Sequence, residues 1–389
     1  MSERKHIVYA TQVDISQPGG QGVYSSSVAN ALANRSDVQL TIICPSPKYE
    51  NTKLLDRDDI CIKKLSSKKK RSIYWHSKVQ YPMFKRLVYL EKDDNIDGIV
   101  SPLKPTNIAQ PIFSNIYGIP LLELAEDIES ENIKKINPFP GASTISDFVL
   151  ALNIYSSTHI IAAFTQAQQW LQAFPGISSD SVSLHYHGVD YENFHPMNKN
   201  KARNEISSDL SSSEIIIGFA GSFQKYHRLD LLLKSIKIMS DRLNLSVILV
   251  GDGPEREPME ELASELGISD KVIFTGFIRH DMVSQYLCSC DLLYGIIDPQ
   301  TTGHPMKVYE YLACGRPVIA YNDPELNFIE KQGFGRTVDD LSTENVVSAL
   351  NDPLFLTNNN LEKFGQDAYE YIKDNFSWDS YAENIVTHF

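Results

Sequence analysis

A chain of 389 residues with 42% hydrophobic content is too long for one core and suits two domains of ordinary size. Its net charge of −13 excludes a general affinity for nucleic acid, and no apolar run reaches the roughly 18 to 20 residues that span a bilayer. Cys44, Cys61, Cys288, Cys290 and Cys314 form no paired framework and no second pair completes a metal site, so a reducing cytosol is the expected setting.

The charged tip MSERK passes straight into HIVYA, a strand pattern with no signal-peptide character. HIVYA, QLTIIC, DGIVS, IPLLEL, HIIAAF and SVSLHYH read as strands, with longer helical patterns between them. After the first of these, QPGGQGVYSSSVANALA brings Gly19, Gly20 and Gly22 into a helix start whose free N–H groups suit an anion. Residues 63–92 hold ten Lys or Arg against one acid, Glu91, a local inversion of the overall charge. Within that stretch Met83, Phe84, Leu87, Val88 and Leu90 share one helical face, and Lys85, Arg86, Tyr89 and Lys92 line the other. Two readings follow: peripheral contact with an anionic membrane, or an ordinary amphipathic helix behind a solvated Lys loop.

The polar run DYENFHPMNKNKARNEISSDLSSSE is the expected interdomain linker. Beyond it EIIIGFAG, SVILVG, KVIFTG, DLLYGI and RPVIAY read as a second set of strands. The alternation throughout predicts an α/β protein with parallel sheets covered by helices. In GFAGSFQKYHRLDLLLKSI, Gly221 ends a strand and Lys225, His227 and Arg228 crowd the turn that follows. Neither Gly-rich turn has the G-x-G-x-x-G spacing of a dinucleotide site, and each alone signals no more than a tight bend. In GHPMKVYEYLACGRPVIAY, Glu310 shares an otherwise apolar helix face with Met306, Ala313 and Cys314, a costly place for a carboxylate unless a ligand or a cation pairs with it.

The order of GGQG, GSFQKYHRLDLLLKSI, VILVGDGPE, VIFTGFI, CDLLYGI, PMKVYEYLACGRPVIA and FSWDSYAENI resembles the nucleotide-sugar-dependent glycosyltransferases of the GT-B fold, with the retaining glycosyltransferase family 4, or group 1, as the nearest pattern. The resemblance implies an α/β fold of two Rossmann-like domains facing a cleft (GT-B). Residues 1–190 would form the N-terminal acceptor domain, 191–372 the nucleotide-sugar-binding domain, and 373–389 a helix crossing back to the first domain. It implies a nucleoside-diphosphate sugar as donor substrate, with UDP or GDP foremost, a glycan, lipid-linked or protein-linked acceptor, no further cofactor and no metal.

Glu310 matches the second acid of the family's E-x7-E motif, which accepts hydrogen bonds from the donor ribose; the plain alternative is an ion pair with Lys307. The first acid of that motif falls on Thr302, a departure, and Gly303, His304 and the amides of Met306 and Lys307 are expected beside the sugar and diphosphate. The Arg that relatives place after the glycine is Ser222 here, a second departure. The family's following Lys falls on His227 or Arg228, with Lys225 near enough to substitute; Arg228 is preferred because it stays charged and has two donors for phosphate. Gly19, Gly20 and Gly22 would close over the same phosphates from the first domain. Phe277 and Ile278 match the nucleobase position, against the alternative that they pack in the core. Glu126 stands near the place of a sugar-contacting histidine, with Glu123 and Asp127 as alternatives.

The expectation is therefore a metal-independent, hexosyltransferase-type enzyme of polysaccharide, glycolipid or glycoprotein synthesis. It would be cytoplasmic, with residues 63–92 resting on the inner face of a membrane. A non-catalytic GT-B partner subunit binding glycan or protein is the alternative that the two departures favour, and a sugar-nucleotide epimerase is a third.

Overall fold

The computed structural model describes residues 4–17, 20–48, 53–65, 73–128, 142–206, 215–300, 306–352 and 361–389. The chain divides into two compact units, one of Met1–Gly188 with Trp378–Phe389 and one of Val189–Ser377.

The first unit is built on a parallel seven-stranded sheet in the order β3-β2-β1-β4-β5-β6-β7. Its strands are β1 (Lys5–Ala10), β2 (Val38–Pro45), β3 (Cys61–Leu65), β4 (Gly98–Pro102), β5 (Leu121–Ala125), β6 (His159–Ala162) and β7 (Val182–Leu184). Continuous apolar runs such as HIVYA and GIVSP fit strands covered on both faces, and alternate residues of β1 do enter different cores. Ile7 and Tyr9 pack toward the helices Gly20–Ala33 and Trp378–Val386, and Val8 and Ala10 pack with Val79, Met83 and Leu87 of the helix Ile73–Asp94. Order reverses between β1 and β4, where Val8 pairs with both Thr41 and Ile99, and the glycine turn follows β1 at this switch point.

The last helix, Trp378–Val386, is part of this unit. It buries Tyr381, Ala382, Ile385 and Val386, and Tyr381 Oη lies 2.8 Å from Tyr24 Oη. Phe389 fills the space over Gly98, where a Cβ would fall 2.1 Å from its ring.

The second unit carries a parallel six-stranded sheet in the order β10-β9-β8-β11-β12-β13. Here β8 is Ile215–Ala220, β9 Leu245–Val250, β10 Val272–Gly276, β11 Leu292–Tyr294, β12 Val318–Tyr321 and β13 Gly335–Val338. The chain again changes direction beside its first strand, so the loops after β8 and β11 stand side by side.

Two readings of the sequence change here. The polar run expected as a linker contains a helix, Lys199–Ile206, that belongs to the second unit. Its Arg203 is 1% exposed and donates from Nη2 to Asp291 Oδ2 at 2.6 Å, while Lys199 Nζ reaches Asp291 Oδ1 at 2.5 Å. Asp291 Oδ2 also accepts from Ile216 N, so a buried charge in a polar run anchors the helix to the start of the sheet. The edge strands β3 and β13 were not expected from their sequences, CIKKL and GRTV.

Candidate functional site

The densest set of expected residues lies at the carboxyl end of the second unit's sheet. Gly221 follows β8 with φ +148°, and its N–H donates to Val250 O at 2.9 Å. Gly251, at φ +130°, lies so close that a Cβ there would fall 2.0 Å from Gly221 O. Only glycine tolerates both demands, so the two turns pack backbone to backbone and leave a shallow floor.

After Gly221 the chain passes through Ser222, which is exposed and accepts from Gln224 Nε2 at 3.0 Å, to the short turn Lys225–His227. Arg228 takes the left-handed conformation, φ 48°, and starts the helix Leu229–Met239. Its guanidinium donates from Nε to Asp230 Oδ1 at 3.1 Å, and Nη1 is 3.9 Å from Asp298 Oδ2. Its carbonyl accepts from Tyr294 Oη at 2.9 Å. Arg228, preferred from the sequence for its permanent charge, is thus engaged with two carboxylates, and Lys225 is exposed.

Its alternative, His227, is buried and faces the opposite partner. Lys307 Nζ donates to His227 Nε2 at 2.6 Å and lies 4.4 Å from the centroid of the Phe219 ring. A Cβ on Gly221 would come within 3.0 Å of that same Nζ. Burial, with the Lys307 charge beside it, pushes the His227 imidazole down to about 2. Burial also lowers the Lys307 ammonium to about 7, against the opposing pull of Glu310.

Lys307 and Glu310 sit one turn apart on the helix Met306–Ala313. Tyr311, the residue after Glu310, locks this helix to the sheet: its Oη donates to Ala220 O at 3.0 Å and accepts from Ala220 N at 2.9 Å. Glu310 is half-buried with its Oε1 3.9 Å from Nε2 of His280, the first residue of the helix His280–Ser289. Burial raises its carboxyl above the usual range; His280 and Lys307 act against the rise and Asp190 adds to it. Two residues the sequence reading gave no role, His280 and Tyr311, therefore build the site. Tyr311 stands inside PMKVYEYLACGRPVIA, and His280 follows directly on FTGFIR.

The other expected residues lie around or apart from this group. Met306 is half-buried at the helix start. Phe277, after Gly276, is 66% exposed, so its ring does not pack in the core, and Ile278 is half-buried. Thr302, Gly303 and His304 lie outside the described residues, as does Gly19.

In the first unit Gly20 and Gly22 open the helix Gly20–Ala33, and a Cβ on Gly22 would meet Gln17 O at 1.8 Å. Glu126 is half-buried just after β5, and its charge helps push up the buried phenols of Tyr9, Tyr24 and Tyr381. Of its alternatives, Asp127 accepts from Ile128 N at 2.8 Å. Glu123 pairs in register with Ser101 inside the sheet and is fully buried, which drives its carboxyl well above the usual carboxylate range.

This unit-2 arrangement joins a glycine floor, a cation against it and a carboxylate one helical turn away. Residues 200–371, which contain all of it, match the sequence model of the glycosyl transferases group 1 family. Over those residues the second unit is similar to the group 1 glycosyl transferases. Among curated relatives, the chain is 23% identical over 246 residues to an uncharacterized glycosyltransferase of Methanocaldococcus jannaschii, covering 60% of each. It is 26% identical over 215 residues to the D-inositol 3-phosphate glycosyltransferase of Mycobacteroides abscessus, covering 54% of this chain and 46% of the relative. The chain thus matches about half the length of these relatives. Among solved structures, HepE of Anabaena in complex with UDP superposes with a TM-score of 0.73 at 17% identity, covering 98% of both chains. Sucrose-phosphate synthase of Thermosynechococcus elongatus gives a TM-score of 0.74 at 16% identity over 99% and 98%. The fold of the chain is accordingly GT-B.

Proposed function

We propose that this protein is a retaining glycosyltransferase of the family 4 type that moves a hexose from a nucleoside-diphosphate sugar to a glycan, lipid-linked or protein-linked acceptor. The observation that carries the reading is Glu310. Its half-buried carboxylate stands at the carboxyl end of a parallel sheet, 3.9 Å from His280, on the helix that also brings Lys307 to the Gly221 turn. A ribose offering two hydroxyls to that carboxylate offsets the cost of keeping it there. The adjoining cation and helix-start amides suit the negative charge that develops on a departing diphosphate.

In this reading the exposed Phe277 and half-buried Ile278 border the base, with UDP or GDP as donor nucleotide. Transition-state charge is met by side-chain cations and amides, with no metal. The sugar leaves with oxocarbenium character, and a donor phosphate oxygen accepts the acceptor's proton, so no glycosidase-like pair of carboxylates is needed.

The name of one relative, the alpha-monoglucosyldiacylglycerol synthase of Streptococcus pneumoniae, is that of a lipid-forming enzyme and supports a membrane-borne acceptor within this reading. No helix among the described residues is long and apolar enough to cross a membrane. The helix Ile73–Asp94 buries Met83, Leu87 and Leu90 and exposes Lys85, Arg86 and Tyr89, which supports a cytoplasmic enzyme of polysaccharide or glycolipid synthesis resting on an anionic bilayer. Sedimentation with anionic but not neutral liposomes checks this part; equal binding to both, or to neither, removes it.

Ser222 and Thr302 at positions where the family pattern has Arg and Glu favour a second reading, a non-catalytic subunit. A panel of UDP-, GDP- and ADP-sugars, scored for thermal stabilisation and hydrolysis, separates the two. Stabilisation by a nucleoside diphosphate that is lost in Glu310→Ala supports the enzyme, and indifference to every nucleotide supports the binding subunit.

A further inference from the structure

The chain lacks an arginine directly after Gly221, and the next guanidinium along the turn, Arg228, is engaged with Asp230 and Asp298. A cation that does reach the Gly221 turn is Lys307, from the helix Met306–Ala313. We propose that Lys307, seated on the neutral imidazole of His227, is the ammonium this chain presents to the donor diphosphate, and that binding the donor draws one proton onto it. The inference rests on the glycosyltransferase reading and deepens it.

Three contacts place Lys307 Nζ: His227 Nε2 at 2.6 Å, the Phe219 ring centroid at 4.4 Å, and the open face of Gly221, where a Cβ would come within 3.0 Å. The imidazole accepts the ammonium's hydrogen bond and the ring faces its charge, but neither carries a full negative charge. Among the described residues the titratable groups facing Lys307 are His227 and, one turn along its own helix, Glu310, which itself faces His280. Glu310, one helical turn along, is thus the nearby anion. A half-buried amine so placed holds its proton weakly, in keeping with its lowering to about 7. A diphosphate arriving at the Gly221 turn favours the charged form and raises the amine's proton affinity. Above about pH 7 the free site is partly the neutral amine, and each bound donor takes up a proton from solvent to form the ammonium. Affinity is then highest at and below neutrality and falls as pH rises. His227 stays neutral throughout and acts as a positioning residue, holding Nζ over the glycine.

Titration calorimetry of the full chain with UDP-glucose and with GDP-mannose, in buffers of different ionisation enthalpy between about pH 6 and 8.5, reads this directly. The diphosphate of a nucleotide sugar carries no titrating oxygen in that range, so uptake belongs to the protein. Wild type is expected to take up protons increasingly above pH 7 and to lose about tenfold in affinity by pH 8.5. Lys307→Arg, charged at every pH, should bind without that uptake, and Lys307→Met should bind at least about tenfold more weakly at pH 6.5 with a flat profile. His227→Phe removes the acceptor and should move the fall in affinity to lower pH. Should wild type bind with no uptake, or Lys307→Met keep wild-type affinity and profile, the inference is wrong while the glycosyltransferase reading stands. If neither nucleotide sugar nor free UDP, GDP or ADP binds at any pH, both are wrong.

Discussion

Glu310 Oε1 and His280 Nε2 lie 3.9 Å apart on two helices that both start at the carboxyl end of the second unit's sheet. The histidine partly answers the carboxylate's charge, and burial still holds the carboxyl above its usual range. Glu310→Gln keeps shape and size but removes the buried charge. Because the folded carboxyl is raised, ionisation weighs against the fold as pH rises, and the neutral amide should leave the Tm at neutral pH equal to or above wild type. Two charge-assisted hydrogen bonds to ribose reduced to neutral ones should cost about 2 kcal/mol, roughly 30-fold in nucleotide affinity. Differential scanning fluorimetry with and without nucleoside diphosphates checks both halves; a lower Tm with unchanged binding would make Glu310 purely structural.

Gly221 is a second pressure point. A side chain there is strained at φ +148°, and its Cβ would press on Lys307 Nζ at 3.0 Å. Gly221→Ala is expected to cost about 1–3 kcal/mol of stability and to weaken nucleotide binding by at least about tenfold through displacement of Lys307. Urea denaturation and calorimetry give the two numbers, and intact affinity in a folded variant would remove Gly221 from the site.

These residues also show what a one-dimensional reading reaches. The continuous apolar runs HIVYA and SVILVG announced interior strands because burial on both faces leaves no polar alternation to confuse them. β3 and β13 each pair on one side only, and an edge such as CIKKL keeps lysines that read as loop. Glu310 was legible because helical spacing set it among apolar neighbours. The His227–Lys307 contact was not, since it joins residues 80 apart whose meeting depends on Tyr311 docking the helix onto Ala220. Arg228 was preferred by its charge, but Asp230 two residues on and Asp298 across the turn engage it. Arg203, in a run that read as linker, shows the same failure: its partner Asp291 is distant in sequence.

The last helix belongs energetically to the first unit. Tyr381, Ala382, Ile385 and Val386 are each at most 4% exposed, and Tyr381 Oη meets Tyr24 Oη at 2.8 Å. Removing residues 378–389 uncovers side chains worth about 1.5–3 kcal/mol each for the larger ones, on the scale of a whole domain's stability. The truncated chain should therefore lose the cooperative unfolding of residues 4–188 while the second unit keeps its own transition. Tyr381→Phe should cost only about 1 kcal/mol. Limited proteolysis mapped by mass spectrometry distinguishes the outcomes; equal protection of the first unit with and without the helix would refute the assignment.

His159 and His388 stack in the first unit with ring centroids 3.5 Å apart and planes at 15°, and His159 Nε2 lies 2.9 Å from Ser183 Oγ. Burial, and the neighbouring His388, lower the His159 imidazole to about 4, and burial lowers His388 in the same direction. Folded imidazoles that resist protonation contribute stability in full above the unfolded value of about 6.5, and that contribution is lost as pH falls from there toward 4. The loss should reach on the order of 2–3 kcal/mol for the pair, because the unfolded chain binds protons that the folded stack refuses. His388→Phe keeps an aromatic ring on His159 but removes one titrating group and the repulsion between two imidazolium rings. Its stability should decline less steeply than wild type between pH 6.5 and 4, with the two proteins alike above pH 7. His227, lowered to about 2, titrates equally in both and cancels from the comparison. Urea unfolding at intervals of half a pH unit gives the slopes, and parallel curves across that window would show that the stacked pair contributes nothing to acid sensitivity.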